Sequence, residues 1–305
     1  MLALSVSISA CKSSDKSGEP VKQPATATPR VSDAKPKARG CRRLPFAEEL
    51  PIAEASGAVV VAANKVRPAH ILVVGDSGTG GQFNEIAATD GRLLRAGKLP
   101  LDSGASDDLE GLTRIGDTFY VITSSGWLRH YRLDSADQYQ QVQSAYAIAD
   151  RNRHPRMTCR GKGINCAKNY EGLCLAPDAD KQPAGTCIGF AASKADGHLY
   201  CLSLRKKQRL RLDPRRRIKV TNPGRLTGCH FSPDGATVYA GANLFGRSEV
   251  VAITGWQNPD SAQQRGVGSL GSGFPEALAV AAGGIIYRFS DTGGKPSFVD
   301  KYKCD

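Results

Sequence analysis

Three glutamates, Glu110, Glu171 and Glu276, each stand directly before a small residue that opens an apolar stretch. Aligning Gly57, Gly111, Gly172, Gly228 and Ala277 divides the chain into copies spaced by 54, 61, 56 and 49 residues. The residues ahead of the aligned positions are Ser56, Glu110, Glu171, Thr227 and Glu276. Three carboxylates and two hydroxyls converging on one axis would form an oxygen-rich site for a hard cation, calcium above all. Such a cation could polarise a phosphoryl or lactone oxygen and activate water. Asp108 and Asn169, each two residues ahead of a glutamate, are the neighbours expected to join the set. A competing expectation is structural: each glutamate accepts backbone N–H bonds from the next copy and only fixes the geometry of the repeat.

Other motifs carry less chemistry. Gly75-Asp76-Ser77-Gly78 resembles the surroundings of a serine protease nucleophile, but only His70 precedes it, immediately upstream of the strand it follows. It reads as a turn. Gly78-Thr79-Gly80-Gly81 lacks the Lys-Ser/Thr of a phosphate-binding loop. The five histidines show no metal or triad spacing.

The elements that must position the glutamates read as short strands. Asp108-Leu109-Glu110-Gly111-Leu112-Thr113 is followed by Gly116–Ser124 and then by Trp127–Leu133, with tight turns between. Copies open at Asn169-Tyr170-Glu171-Gly172-Leu173, at Leu226-Thr227-Gly228-Cys229 and at Pro275-Glu276-Ala277-Leu278, and a weaker one at Ala55-Ser56-Gly57. The 33 glycines and 17 prolines among 305 residues favour turns over long helices, which excludes a helical bundle or coiled coil. Strand-rich repeats of this size predict an all-β fold, a β-propeller of five or six four-stranded blades over residues 44–305. Radial repetition hides sheet edges without a helical cover.

The Glu110-Gly111-Leu112 and Asn169-Tyr170-Glu171-Gly172-Leu173 openings resemble those of the phytase-like esterase and SdiA-regulated propellers. They resemble more loosely the gluconolactonase-like propellers. The resemblance spans about residues 55–305 and implies a propeller whose channel metal serves hydrolysis of phosphoester, ester or lactone substrates.

Residues 1–11 resemble a lipoprotein signal. Apolar and small residues run to Ile8-Ser9-Ala10-Cys11, a lipobox-like end that makes Cys11 the expected lipidation site, although no basic residue precedes the run. Residues 12–43 hold nine basic and three acidic residues with no apolar periodicity, and read as a flexible basic tether. The other eight cysteines, Cys41, Cys159, Cys166, Cys174, Cys187, Cys201, Cys229 and Cys304, form an even set without a C-x-x-C pair. Behind an export signal they predict up to four disulfides. The expected pairs are Cys41 with Cys304, fastening the two ends of a ring, and Cys159 with Cys166 across a short loop. The rest stay open.

The net charge is +12, and its densest part is residues 204–219, with nine basic residues against Asp213. Arg205, Lys206, Lys207, Arg209, Arg215, Arg216 and Arg217 form a candidate anion-binding patch for headgroups, polyanions or an acidic envelope partner. Its plainer reading is a solvated outer strand whose charge blocks edge pairing. Export and the lack of stacking aromatics argue against nucleic acid. Two functional classes follow. One is a binding or scaffold module, lipid-anchored on the periplasmic face of the outer membrane or at the cell surface. The other is a calcium-dependent hydrolase at the Glu110/Glu171/Glu276 mouth.

Overall fold

The computed structural model describes residues 40–205, 208–221, 224–244 and 246–305. Cys11 with its lipobox, residues 12–39 of the tether, and Lys206 and Lys207 of the basic patch lie outside the described residues.

Two N-terminal strands, β1 (Cys41–Leu44) and β2 (Glu49–Ala53), come first. Blade 1 follows as β3 (Ala55–Val61), β4 (His70–Gly75), β5 (Gln82–Ala87) and β6 (Leu93–Lys98). Blade 2 is β7 (Leu109–Ile115), β8 (Thr118–Thr123), β9 (Trp127–Leu133) and β10 (Tyr139–Ala147). Blade 3 is β11 (Tyr170–Leu175), β12 (Gly189–Ser193), β13 (His198–Arg205) and β14 (Arg209–Lys219). Blade 4 is β15 (Arg225–Phe231), β16 (Thr237–Leu244), β17 (Arg247–Thr254) and β18 (Gln263–Ser272). Blade 5 takes β19 (Phe274–Ala281), β20 (Ile285–Asp291) and β21 (Pro296–Cys304) from the C-terminus, and β1 and β2 pair with β21 as its outer edge. All pairing within blades is antiparallel, and the inner strands β3, β7, β11, β15 and β19 are neighbours in a closed ring. The fold is thus a five-bladed propeller. β1 begins at Cys41, so Cys41–Arg43 of the stretch assigned to the tether are part of blade 5.

Burial follows position in the blade. The middle strands β4, β8 and β12 are buried on both faces and, His70 at the start of β4 aside, read as apolar or small runs, whereas β14 alternates buried Leu210 and Leu212 with exposed Arg209 and Arg211. Between blades, apolar side chains from adjacent sheets interdigitate; Phe190, Phe231 and Trp256 pack edge to face between blades 3 and 4.

Disulfides reinforce these contacts. Cys41–Cys304 joins the paired ends of β1 and β21, and Cys159–Cys166 closes a loop between blades 2 and 3. Cys174–Cys229 links the inner strands of blades 3 and 4, and Cys187–Cys201 lies within blade 3. Four disulfides fit an oxidising, exported compartment. No helix among the described residues is long and apolar enough to cross a membrane.

Candidate cation site at the propeller mouth

Each inner strand carries a bulge at the same place. Register with the second strand slips at Ser56, Glu110–Gly111, Glu171, Thr227 and Glu276. These are the residues that the repeat alignment singles out. The adjoining glycines have a steric reason: a methyl group on Gly57 would lie 2.0 Å from the Glu110 carbonyl oxygen, and one on Gly111 2.1 Å from the Leu173 nitrogen. At Gly228 the nearest atom is 3.8 Å away, and the fifth copy has Ala277 there. The inner strands thus nearly touch, and the axis keeps a gap of only about 10 Å³ among Leu112, Leu173, Cys229 and Leu278. This narrow gap forms the floor of the site.

A second ring of positions surrounds this floor, at the ends of the second strands. Asp76 follows β4, Ser124 follows β8 and Lys194 follows β12, each just beyond the register pair that opens its blade. Glu54, Asp108, Asn169, Arg225 and Phe274 stand two residues ahead of the bulge residues in blades 1 to 5. Acids therefore gather in blades 1 and 2. Blade 3 adds Lys194, blade 4 an exposed arginine and blade 5 an exposed Phe274.

Asp76, Asp108 and Glu110 each place one carboxylate oxygen within 4.8 Å of the other two. Asp108 is fully buried; its Oδ2 accepts from the Ser124 hydroxyl and its Oδ1 has no hydrogen-bond partner. Burial raises the Glu110 carboxyl well above the usual range, and neighbouring Glu171, Asp76, Asp108 and Glu276 push it further. Asp76 is pushed up to about 7, first by burial and then by Asp108, against the pull of the Ser77 N–H. Asp108 is raised chiefly by burial, which the bond from Ser124 only partly offsets. Asp108 and Glu110 are cut off from water while Asp76 is half-buried, and too few donors replace the lost solvation, which favours neutralisation of the cluster by protons or a cation.

Glu171 and Glu276 have a different neighbour. The Lys194 ammonium lies 3.0 Å from Glu171 Oε1 and 3.8 Å from Glu276 Oε2. Burial still raises Glu171, with Lys194 opposing it. Lys194 is itself held above the usual lysine range: burial would lower it, but Glu171, Glu276 and Glu110 outweigh that. Asn169 carries a buried Oδ1 without a partner and has φ of 45°, a left-handed conformation that asparagine tolerates. The disulfide-closed loop before β11 reaches this wall through the Asn165 N–H, which donates to Ser124 Oγ at 2.8 Å.

The five expected residues thus fall into two parts. Asp108 and Glu110 join Asp76; Glu171 and Glu276 flank Lys194, and Asn169 immediately precedes the inner strand that carries Glu171. Asp76 and Lys194 were not expected. The residue after each second strand, in Val74-Gly75-Asp76 and Ala192-Ser193-Lys194, is the signal that would have found them.

No family model and no curated protein matches this chain. Among solved structures it is similar to the glutaminyl cyclase of Myxococcus xanthus, at 13% identity over 88% of this chain and 98% of that one, with a TM-score of 0.51. It is also similar to the PQQ-bound aldose sugar dehydrogenase of Streptomyces coelicolor, at 12% identity over 88% and 99%, with a TM-score of 0.51. Regucalcin of Agrobacterium tumefaciens, a calcium-binding protein, shows 12% identity over 85% of this chain and 95% of that one, with a TM-score of 0.44. At these identities the likeness to the cyclase and the dehydrogenase is one of fold alone.

Proposed function

We propose that this chain is an exported, lipid-anchored envelope propeller whose mouth holds a calcium-type cation and, beside it, an anionic ligand. The observation that carries this reading is the convergence of Asp76, Asp108 and Glu110, with the unpartnered Oδ1 of Asp108 among them. Hard oxygen donors of this kind fit a hard cation and fit no soft one. Bound there, the cation would polarise a phosphoryl or acyl oxygen. Lys194 supplies the second positive charge of the mouth, held by Glu171 and Glu276, and is placed to hold an anionic group.

A second reading is hydrolysis of a phosphoester, ester or lactone at the same mouth. It is favoured by the ammonium of Lys194 beside the acid cluster, a pairing suited to an oxyanion. The resemblance of the blade openings to phytase-like esterase propellers supports the same substrate classes.

Calorimetric titration with calcium tests the reading. Heat is expected for the wild type and none for Asp108→Asn or Glu110→Gln, and a silent wild type overturns the cation site. A chromogenic esterase and phosphatase screen with calcium separates the two readings. Turnover lost in Glu110→Gln marks an enzyme, and calcium heat without turnover leaves a binding module.

A further inference from the structure

We propose that the cleft between the outer strands of blades 2 and 3 is a second site, independent of the mouth, that binds phosphate-bearing ligands. The cleft has a volume of about 730 Å³ and lies between β10 and β14. Its walls carry Arg153, His154, Arg205, Arg209, Arg211 and Arg216, against Asp150 and Asp213 as its acids. The pleat of β14 presents two of these arginines, because Leu210 and Leu212 turn inward and Arg209 and Arg211 outward. Residues 213–216 then leave the ladder, since Leu212 pairs with Leu202 and the next pair is Arg217 with Tyr200. This bulge brings Arg216 to the cleft wall.

Three arginines are held in place by their surroundings. The Arg209 guanidinium lies 4.6 Å from the Tyr146 ring centroid, and its Nε donates to Gln143 Oε1 at 3.2 Å. Arg211 pairs with Asp150 at 3.2 Å, and Arg216 donates to the Gly185 and Gln257 carbonyls, each at 3.4 Å. Each contact uses part of a five-donor fork, so N–H groups remain on all three for a ligand. Ordering an arginine beforehand lowers the entropy lost on binding, and the planar fork matches phosphate oxygens in pairs.

Edge protection does not account for Arg209 and Arg211. The Leu212 N–H donates to the Ile148 carbonyl and the Leu210 N–H to the Tyr146 hydroxyl, both at 2.9 Å, so blade 2 already occupies those edge donors. Nor does the cleft suit a nucleobase, because Arg209 covers Tyr146, the ring that could stack one.

The test uses the full chain with two probes at low ionic strength: inorganic tripolyphosphate by calorimetry, and phosphatidylcholine vesicles with or without phosphatidylglycerol by flotation. The double variant Arg209→Gln/Arg211→Gln should bind tripolyphosphate at least about tenfold more weakly. Arg215→Gln/Arg217→Gln, with the same charge change outside the cleft, should lose less than about twofold. Arg209→Lys/Arg211→Lys keeps the charge but not the fork and should fall between them. Tripolyphosphate binding without vesicle binding identifies a soluble phosphate ligand. Binding to phosphatidylglycerol vesicles that tripolyphosphate displaces and that Arg209→Gln/Arg211→Gln weakens identifies a lipid headgroup in the cleft, whereas vesicle binding unchanged in that variant does not involve the cleft. Equal losses in both glutamine variants, or no binding of either probe by the wild type, overturn the proposal. Calcium heat at the mouth, if present in the wild type, should survive every variant. Unchanged melting of the variants shows that they fold, whatever the outcome at the mouth.

Discussion

Glu85 and Glu110 are both buried glutamates, one on the third strand of blade 1 and one on the inner strand of blade 2, and their surroundings are opposite. Glu85 has Arg67 and Arg95 against its carboxylate, with Arg95 Nη2 at 2.6 Å from Oε1, and accepts from the Tyr139 hydroxyl at 2.7 Å. Burial alone would raise it, but Tyr139, Arg95 and Arg67 outweigh burial and hold it below the usual glutamate range. Glu110 is acted on by other carboxylates and goes the other way. Burial alone therefore does not set the direction of the shift; the charge of the neighbours decides it.

Breaking the satisfied acid should cost the most stability. Glu85→Gln leaves two arginines without their counter-charge and should destabilise the fold by about 3 kcal/mol in denaturant unfolding. Glu110→Gln should stay within about 1 kcal/mol of the wild type or gain, because it removes repulsion. Equal losses would erase the contrast. Calcium affinity should reverse the order: Glu110→Gln loses at least about a hundredfold by calorimetry, and Glu85→Gln, assayed where it is folded, loses none.

Stability against pH sharpens the same contrast. Asp76, Asp108, Glu110 and Glu171 have folded pKa values above their unfolded ones. Their contribution is full below the unfolded carboxylate range and is lost as pH rises towards the Asp76 value of about 7. The calcium-free wild type should therefore gain several degrees of Tm, relative to Glu110→Gln, between pH 7 and pH 5, and saturating calcium should abolish that gain. His130 works in the opposite sense. Burial pushes it from 6.5 down to about 3, so its contribution is full above 6.5 and lost as pH falls towards 3. Both proteins share His130, and their difference isolates the titration of Glu110 and its coupling to the neighbouring acids. The smallest effect is expected from Lys194→Gln. Removing a positive charge beside the acids should tighten calcium by about threefold and weaken an anionic ligand, measured in the same titrations.

The propeller was legible because its constraint is local. Where inner strands nearly touch, the chain needs a small residue, and the bulge before it aims one side chain at the axis; Gly57, Gly111 and Gly172 register this in sequence. The count of five rather than six was not legible. Long loops such as the disulfide-closed one before β11 lengthen the spacing, and blade 5 is assembled from both chain ends. Asp76 and Lys194 escaped for a related reason. They stand after second strands, and only cross-strand register shows which position there faces the floor. The Gly75-Asp76-Ser77-Gly78 turn reading describes the backbone correctly and overlooks the carboxylate on it. Two disulfides followed from position along the chain, whereas Cys174–Cys229 and Cys187–Cys201 needed the facing of blades 3 and 4 and the pairing inside blade 3.

The Cys41–Cys304 bond has a mechanical consequence. Any pull transmitted along residues 1–40 reaches the folded domain at Cys41, where a covalent bond passes it directly to the opposite terminus. The short ladder between β1 and β21 lies beyond that junction and carries none of the load in shear. Tension therefore arrives at the rim of blade 5 and is shared by both chain ends, without peeling the first strand from the ring. With the bond reduced, the same force would act on four residue pairs and open the blade from its edge.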